Sequence, residues 1–160
     1  MSYTPRPGDY GVVKTSGIVG FLIRLVTVSR WNHAFVCVAD GVIVEARPLG
    51  ATLSKASRYP RAAYNQHESL TDDQRKEIVD FAVKAVGTPY GFIDILVIFL
   101  RIFGLRFGSK TRLMTWLGNR DGLICSELVA RAYESAGFKL INEPSYIVTP
   151  GDLAERLIYQ

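Results

Sequence analysis

Apolar and polar positions along this chain switch between two periods, and the switches mark out its elements. Pro5 to Asp9 is a turn that leads into a short strand, Tyr10 to Lys14. Ile18, Phe21, Leu22, Leu25 and Val26 then recur at helical spacing, which predicts a helix over Ile18 to Val28 with one side on the core. Ser29 to Asn32 is a polar connection. A strand follows from His33 to Val38, Ala39-Asp40-Gly41 is a turn signal, and Val42 to Ala46 is the next strand, so the pair reads as a β-hairpin. Residues 47 to 70 are irregular or hold short strands.

Thr71 suits a helix N-cap, with Asp72 and Asp73 complementing the positive helix end. The predicted helix runs to about Val86 with Ile78, Phe81, Ala82 and Ala85 on one side. Gly87 ends it and Pro89 blocks continuation. Phe92 to Phe103 is strongly apolar, interrupted only by Asp94 and Arg101. Residues 104 to 122 are rich in glycine and basic side chains and read as a loop or mobile excursion. A further helix is predicted from about Cys125 to Ala136, closed by Gly137. A last short helix begins near Pro150, which fits the first helical position after a Thr149 cap. With no repeat, low-complexity tract or long linker, residues 1–160 read as one domain with an apolar and basic excursion at about 92–120.

Composition agrees with a folded chain. Of 160 residues, 48% are hydrophobic and 21% charged, unlike a disordered segment. The net charge of +4 is a mild basic bias. It is compatible with an anionic wall polymer, an acidic lipid surface, nucleic acid or ordinary solubility, and chooses none of them. No motif points to a nucleic-acid partner, and the oligomeric state is left open. The first residues, Met1 to Asp9, lack the apolar core of a signal peptide, which implies a cytoplasmic chain as synthesised.

Candidate chemistry starts from two cysteines, too few for a disulfide framework and without metal-type spacing. Cys37 lies in the apolar run Ala34 to Val38 and reads as a small buried hydrophobe. Cys125 stands where a helix begins. Free backbone N–H groups there carry partial positive charge, lower a thiol pKa and can stabilise an oxyanion. A buried structural cysteine is the plainer reading of that position alone.

Two histidines are available as a base. His67 sits in the polar stretch Asn65-Gln66-His67-Glu68 and reads as solvated. His33 opens an apolar strand, and Glu45 lies in the next one, where a carboxylate needs a partner or an exposed face. Hairpin parity decides whether the two meet. A two-residue Asp40-Gly41 turn puts them on opposite faces. A three-residue loop, Ala39-Asp40-Gly41, pairs Val38 with Val42 and Phe35 with Glu45, and makes His33 and Glu45 diagonal neighbours on one face. Gly41 suits the left-handed position of such a loop. In that case His33 takes the proton of Cys125 or pairs with its thiolate, and Glu45 fixes the ring's tautomer and tilt.

The order His33, Glu45, Cys125 resembles the circularly permuted branch of the NlpC-type superfamily, which includes YiiX-like proteins and lecithin retinol acyltransferase-like enzymes. The residues that carry the resemblance are Pro7-Gly8-Asp9, Ser29-Arg30-Trp31-Asn32-His33-Ala34, Val44-Glu45-Ala46, Gly87-Thr88-Pro89-Tyr90-Gly91, Cys125-Ser126-Glu127-Leu128-Val129 and Thr149-Pro150-Gly151-Asp152-Leu153. It implies an α+β, permuted papain-like fold: a small antiparallel sheet carrying His33 and Glu45, packed against helices including that of Cys125. It also implies a papain-like cysteine amidase or peptidase (a thiol protease in the broad sense) with Cys125, His33 and Glu45 catalytic. Members act on amide, peptide and acyl bonds, many in peptidoglycan stem peptides and others in lipids.

Ser126, Tyr90, Trp31 and Asn32 are candidates for the oxyanion site or substrate cleft. The expected substrate is a peptide, a muropeptide or a lipid, with no cofactor and no metal, since isolated histidines and scattered carboxylates form no ligand cluster. Phe92 to Arg120 departs from a minimal domain. Its apolar run is too short and too charged to span a membrane, which takes about 20 apolar residues. Arg101, Arg106, Lys110, Arg112 and Arg120 border it, so it reads either as a core helix with a basic loop or as a membrane-surface contact. The alternatives to an amidase are a lipid acyl hydrolase or acyltransferase at a membrane, and a non-enzymatic binding module on the same scaffold.

Overall fold

A computed structural model describes residues 4–16, 29–47, 49–66, 69–89 and 124–158. The helix expected over Ile18 to Val28, His67, Tyr90 and the whole stretch from Phe92 to residue 122 lie outside the described residues. The described chain forms strands β1 (Tyr10–Val13), β2 (His33–Ala39), β3 (Val42–Arg47), β4 (Gly50–Lys55) and β5 (Ala63–Tyr64). Helices α1 (Asp72–Lys84), α2 (Cys125–Ser135) and α3 (Pro150–Ile158) accompany them. The strands make one antiparallel sheet in the order β4-β3-β2-β1-β5. The result is an α+β fold. No helix among the described residues is long and apolar enough to cross a membrane.

The strands bury both faces, which explains why their apolar runs are nearly unbroken. Val12, Ala34, Val36, Val44 and Ala46 face the helices and pack with Ile78, Leu128, Val129, Tyr133 and Leu153. Val13, Phe35, Cys37 and Ile43 form a second, smaller core on the other face under Tyr59 and Tyr64. A side chain at Gly11 would collide with the Phe35 ring, so the missing Cβ lets that ring lie across β1.

The hairpin solves the parity question in a way the turn residues did not announce. Asp40-Gly41 closes it as a two-residue turn, with Ala39 opposite Val42 and Gly41 at a φ of 66°. The expected Val38–Val42 pair is therefore absent. A bulge between Cys37 and Ala39 inserts one extra residue and restores the register Phe35↔Glu45 that a longer loop would have produced. Strand ends also move slightly: β1 stops at Val13, while β2 and β3 each continue one residue further than expected.

Sequence motifs outside the chemistry hold the scaffold. Thr71 and Gln74 form a reciprocal capping box at α1, at 3.2 and 3.0 Å. Thr149 and Asp152 do the same at α3, at 2.8 and 3.2 Å. Pro7-Gly8-Asp9 is a clamp. Arg75 of α1 donates to Asp9 at 2.9 Å and to the Pro7 carbonyl at 3.0 Å, and the ion pair is buried. Tyr133 donates to the Gly8 carbonyl at 2.7 Å and accepts from Asn65 at 2.9 Å, so α2 and the residue just after β5 join the same network.

Breaking the clamp isolates a buried charge. Asp9→Ala leaves the Arg75 guanidinium inside without that counter-ion, and the expected loss of folding stability is about 3 kcal/mol. Urea unfolding of the two proteins measures it.

Candidate active site

His33 is the first residue of β2, and its approach is tightly held. Asn32 accepts from the Thr15 N–H at 2.7 Å and donates to the Thr15 carbonyl at 3.0 Å. Trp31 is half-buried against the main core, with the Arg30 guanidinium 4.7 Å over its ring. The start of α3 presses on the same segment, since a Cβ on Gly151 would meet Ser29 at 2.9 Å. These contacts aim the imidazole at the end of the sheet.

Glu45 faces Phe35 across the hairpin and reaches diagonally to His33. His33 Nε2 and Glu45 Oε2 are 2.6 Å apart, and the Glu45 side chain is completely buried. Tyr59, from the irregular stretch after β4, donates its hydroxyl to the same Oε2 at 2.5 Å. Its ring stacks on Phe35 and leans on His33, each centroid at 5.5 Å. Oε1 has no hydrogen-bond partner among the described residues. Ser54, the diagonal neighbour on β4, lies near the carboxylate and adds to the polar surroundings.

Cys125 opens α2 from the helix side of the sheet, and His33 projects on the other side. They meet around the free end of β2, where the imidazole and the sulfur interact. With Nε2 held by Glu45, Nδ1 is the ring nitrogen left for the sulfur. The backbone N–H groups of Ala34 and Ser126 lie near enough to favour a charged sulfur. Glu127 accepts from the Ile124 N–H at 3.5 Å and pairs with Arg131 at 2.8 Å, which fastens the first turn of α2.

Electrostatics follow from this chain of contacts. Burial opposes a charged carboxylate at Glu45, but hydrogen bonds from His33 and Tyr59, the nearby Ser54 hydroxyl and the charge of His33 prevail and hold its pKa at about 2. Burial likewise opposes an imidazolium at His33, yet its interactions with Cys125 and Glu45 and their charges raise its pKa to about 9. Burial pushes the Cys125 thiol up, but the adjacent ring and charge of His33, with the Ala34 and Ser126 N–H groups, bring it below the ordinary thiol value. The favoured state is a thiolate–imidazolium pair anchored on a carboxylate. Cys37 is the contrast. It lies in the second core, and burial together with the nearby Asp9 charge drives its thiol up to about 12. Both cysteines are free, on opposite faces of the sheet, so no disulfide blocks the sulfur.

The structure thus brings Cys125, His33 and Glu45 together. The side chains of two cleft candidates are engaged elsewhere. Asn32 clasps Thr15, and the Ser126 hydroxyl is buried and donates to the Val148 carbonyl at 2.5 Å, leaving only its backbone N–H at the sulfur. Tyr90 is outside the described residues. Tyr59 was missed, because Arg58-Tyr59-Pro60 belongs to no periodic segment whose parity would place it. Only its position before a proline marks an extended residue there.

Comparison with known proteins adds a modest frame. No family model matches the chain. It is similar to the probable lipoprotein peptidase YaeF of Escherichia coli (strain K12), with 25% identity over 170 residues covering 92% of this chain. It spans 62% of that relative's length. Among solved structures it is similar to the metalloprotein YiiX from Escherichia coli O157:H7, with a TM-score of 0.61 and 17% identity over 86% of this chain and 70% of that one. The second likeness is one of fold and agrees with the α+β architecture. Among the described residues no group of three or more His, Cys, Asp or Glu side chains converges as a cation cage. His33 and Glu45 are already bound to each other, so the donor set does not fit a metal here.

The shifted values set the pH dependence of stability. His33 titrates at about 9 in the folded chain against 6.5 ordinarily, so its stabilising charge is fully present below 6.5 and is lost as pH rises through about 9. The lowered Cys125 thiol offsets that loss in unfolding data, so the titration is followed by NMR of the imidazole ring, which is expected to keep its proton up to about pH 9 in the native chain and to lose it at lower pH in Cys125→Ala. Tyr59→Phe keeps the ring stack and removes one donor to a buried carboxylate, at a cost of about 1–2 kcal/mol. A positioning role further requires the Glu45 carboxyl, followed by carbon NMR, to titrate higher in Tyr59→Phe, because a hydrogen bond to its charged form is gone.

Proposed function

We propose that the chain is a papain-like cysteine hydrolase of the permuted NlpC type, cleaving an amide or peptide bond through an acyl-enzyme. The observation that carries this reading is the convergence of Cys125 and Glu45 on the His33 imidazole, with the thiol pKa lowered and the imidazole pKa raised. A peptidase-like hydrolase also agrees with the description of YaeF.

The Cys125 thiolate attacks the substrate carbonyl carbon, and a C–S bond forms as the carbonyl oxygen takes up negative charge. Free N–H groups in the first turn of α2 are suited to that oxyanion. The His33 imidazolium gives its proton to the leaving nitrogen, the C–N bond breaks, and the amine departs. Water then attacks the thioester while neutral His33 accepts its proton, and release of the acid restores the ion pair. Glu45 keeps Nε2 occupied throughout, so Nδ1 stays on the reacting side. Tyr59 positions Glu45 and touches no reacting atom.

Peptides of the bacterial wall are the substrate class the resemblance favours, with a lipid ester or amide as the competing class. Both are tested by hydrolysis of muropeptides and of acyl lipids in parallel. Cys125→Ala is expected to reduce turnover to background and His33→Gln to lower kcat by about 10²–10⁴. Equal turnover by native and Cys125→Ala protein on every substrate would reject the reading in favour of a binding module.

A further inference from the structure

A second polar feature borders the acid end of the series. Arg47 lies two residues beyond Glu45 on β3 and so shares its face, and on β4 Thr52 is the cross-strand partner of Glu45 and Ser54 its diagonal neighbour. The short 3₁₀ turn Ala56–Arg58 that follows β4 brings Ser57 and Arg58 beside them. With Leu53 and Lys55 these residues line an open cavity of about 550 Å³.

The lining has a consistent chemistry. Arg47 and Arg58 are cations, Thr52, Ser54 and Ser57 carry hydroxyls, and no acidic residue takes part, while Lys55, like Leu53, borders the cavity from a β4 position that alternates to the opposite face. Neither arginine has an ion-pair partner among the described residues. Like charges gathered without counter-ions repel one another and focus a positive potential into the hollow between them. Guanidinium groups match the planar geometry of carboxylate and phosphate, and hydroxyl donors complete the shell of such a group. Glu45 does not compete for these cations, because it is buried behind the strand and bound to His33 and Tyr59.

We propose that this cavity binds an oxyanion group, a carboxylate or a phosphate, belonging to the molecule on which the enzyme acts. That the anion belongs to the substrate rests on the hydrolase reading. That the cavity takes an anion does not.

Binding is tested on the full chain carrying Cys125→Ala by amide NMR, titrating with inorganic phosphate and with acetate against sodium chloride at constant ionic strength. Saturable shifts at Thr52, Ser54 and Ser57 are expected with the oxyanions and not with chloride. The midpoint should rise about tenfold in both Arg47→Gln and Arg58→Gln, the loss of one charged hydrogen bond at an exposed site. Shifts that are absent, or that chloride reproduces, overturn the site. Flotation with phosphatidylglycerol vesicles identifies the source: flotation lost in the arginine variants assigns a lipid headgroup, and phosphate shifts without flotation assign a soluble anion.

The link to substrate is read from a matched pair, p-nitrophenyl propanoate and mono-p-nitrophenyl succinate, which differ by one carboxylate, each rate being taken above the ester's own uncatalysed hydrolysis. The ratio of kcat/KM is expected to favour the anionic ester and to fall about tenfold in Arg58→Gln. Hydrolysis of both esters with no preference overturns the assignment to substrate. Hydrolysis of neither, with the phosphate shifts intact, counts against the hydrolase and leaves the anion site standing.

Discussion

A carboxylate sealed from water inside a sheet is the constraint around which the rest of this protein is arranged. Glu45 is fully buried, and an isolated charge at such a place would be protonated or would destabilise the fold. It stays ionised because His33 and Tyr59 both bind one of its oxygens. The consequence travels outward. A fixed negative charge behind the imidazole favours the imidazolium, and the imidazolium favours a thiolate at Cys125. Each member is charged because its neighbour is, so the series behaves as a unit and single substitutions along it are not expected to add.

Holding that unit together falls to contacts some way from the sulfur. The His33 end is set by Asn32 on Thr15 and by the close approach of Gly151 to Ser29. The Cys125 end is set by Ser126 on the Val148 carbonyl and by Glu127 folded back on the first turn of α2. Residues 148–151 therefore touch both sides of the meeting point, one through a carbonyl and the other through a glycine. The Thr149–Asp152 capping box between them explains why Thr149-Pro150-Gly151-Asp152 reads as a motif although it carries none of the proposed chemistry.

Much of this was readable from residue order, for reasons that differ from place to place. Thr71 and Thr149 caps, the Gly87 stop and the Cys125 helix start follow from local rules that tertiary contacts rarely override. The facing of His33 and Glu45 was open, because one residue of register inverts a whole strand. The turn chosen was the shorter one, and by itself it would have separated the two side chains. The bulge at Val38 reversed that outcome, and nothing in the apolar run Ala34 to Val38 marks where an extra residue will be absorbed. Tyr59 was out of reach because it arrives through a 3₁₀ turn rather than a strand. Asn32 and Ser126 mark a different limit: polar residues beside a reactive group look functional in sequence, and here their side chains are bound within the scaffold that places that group.

The two cysteines show how far environment, rather than residue type, decides chemistry in this fold. Cys37 and Cys125 are both buried and both free. Cys37 sits mid-strand, where its neighbours are Phe35, Ile43 and the charge of Asp9, and every influence disfavours the thiolate. Cys125 pays a similar desolvation cost, but it stands where a helix start, the free end of β2 and an imidazolium converge. Ala34 contributes its N–H there because β2 has just begun and that group is not needed by β3. A sheet end facing a helix N-terminus thus supplies donors from two elements at once, which a position inside either element would have already spent on its own hydrogen bonds. That geometry, more than the identity of any one side chain, is why a reactive sulfur belongs at position 125 and not at position 37.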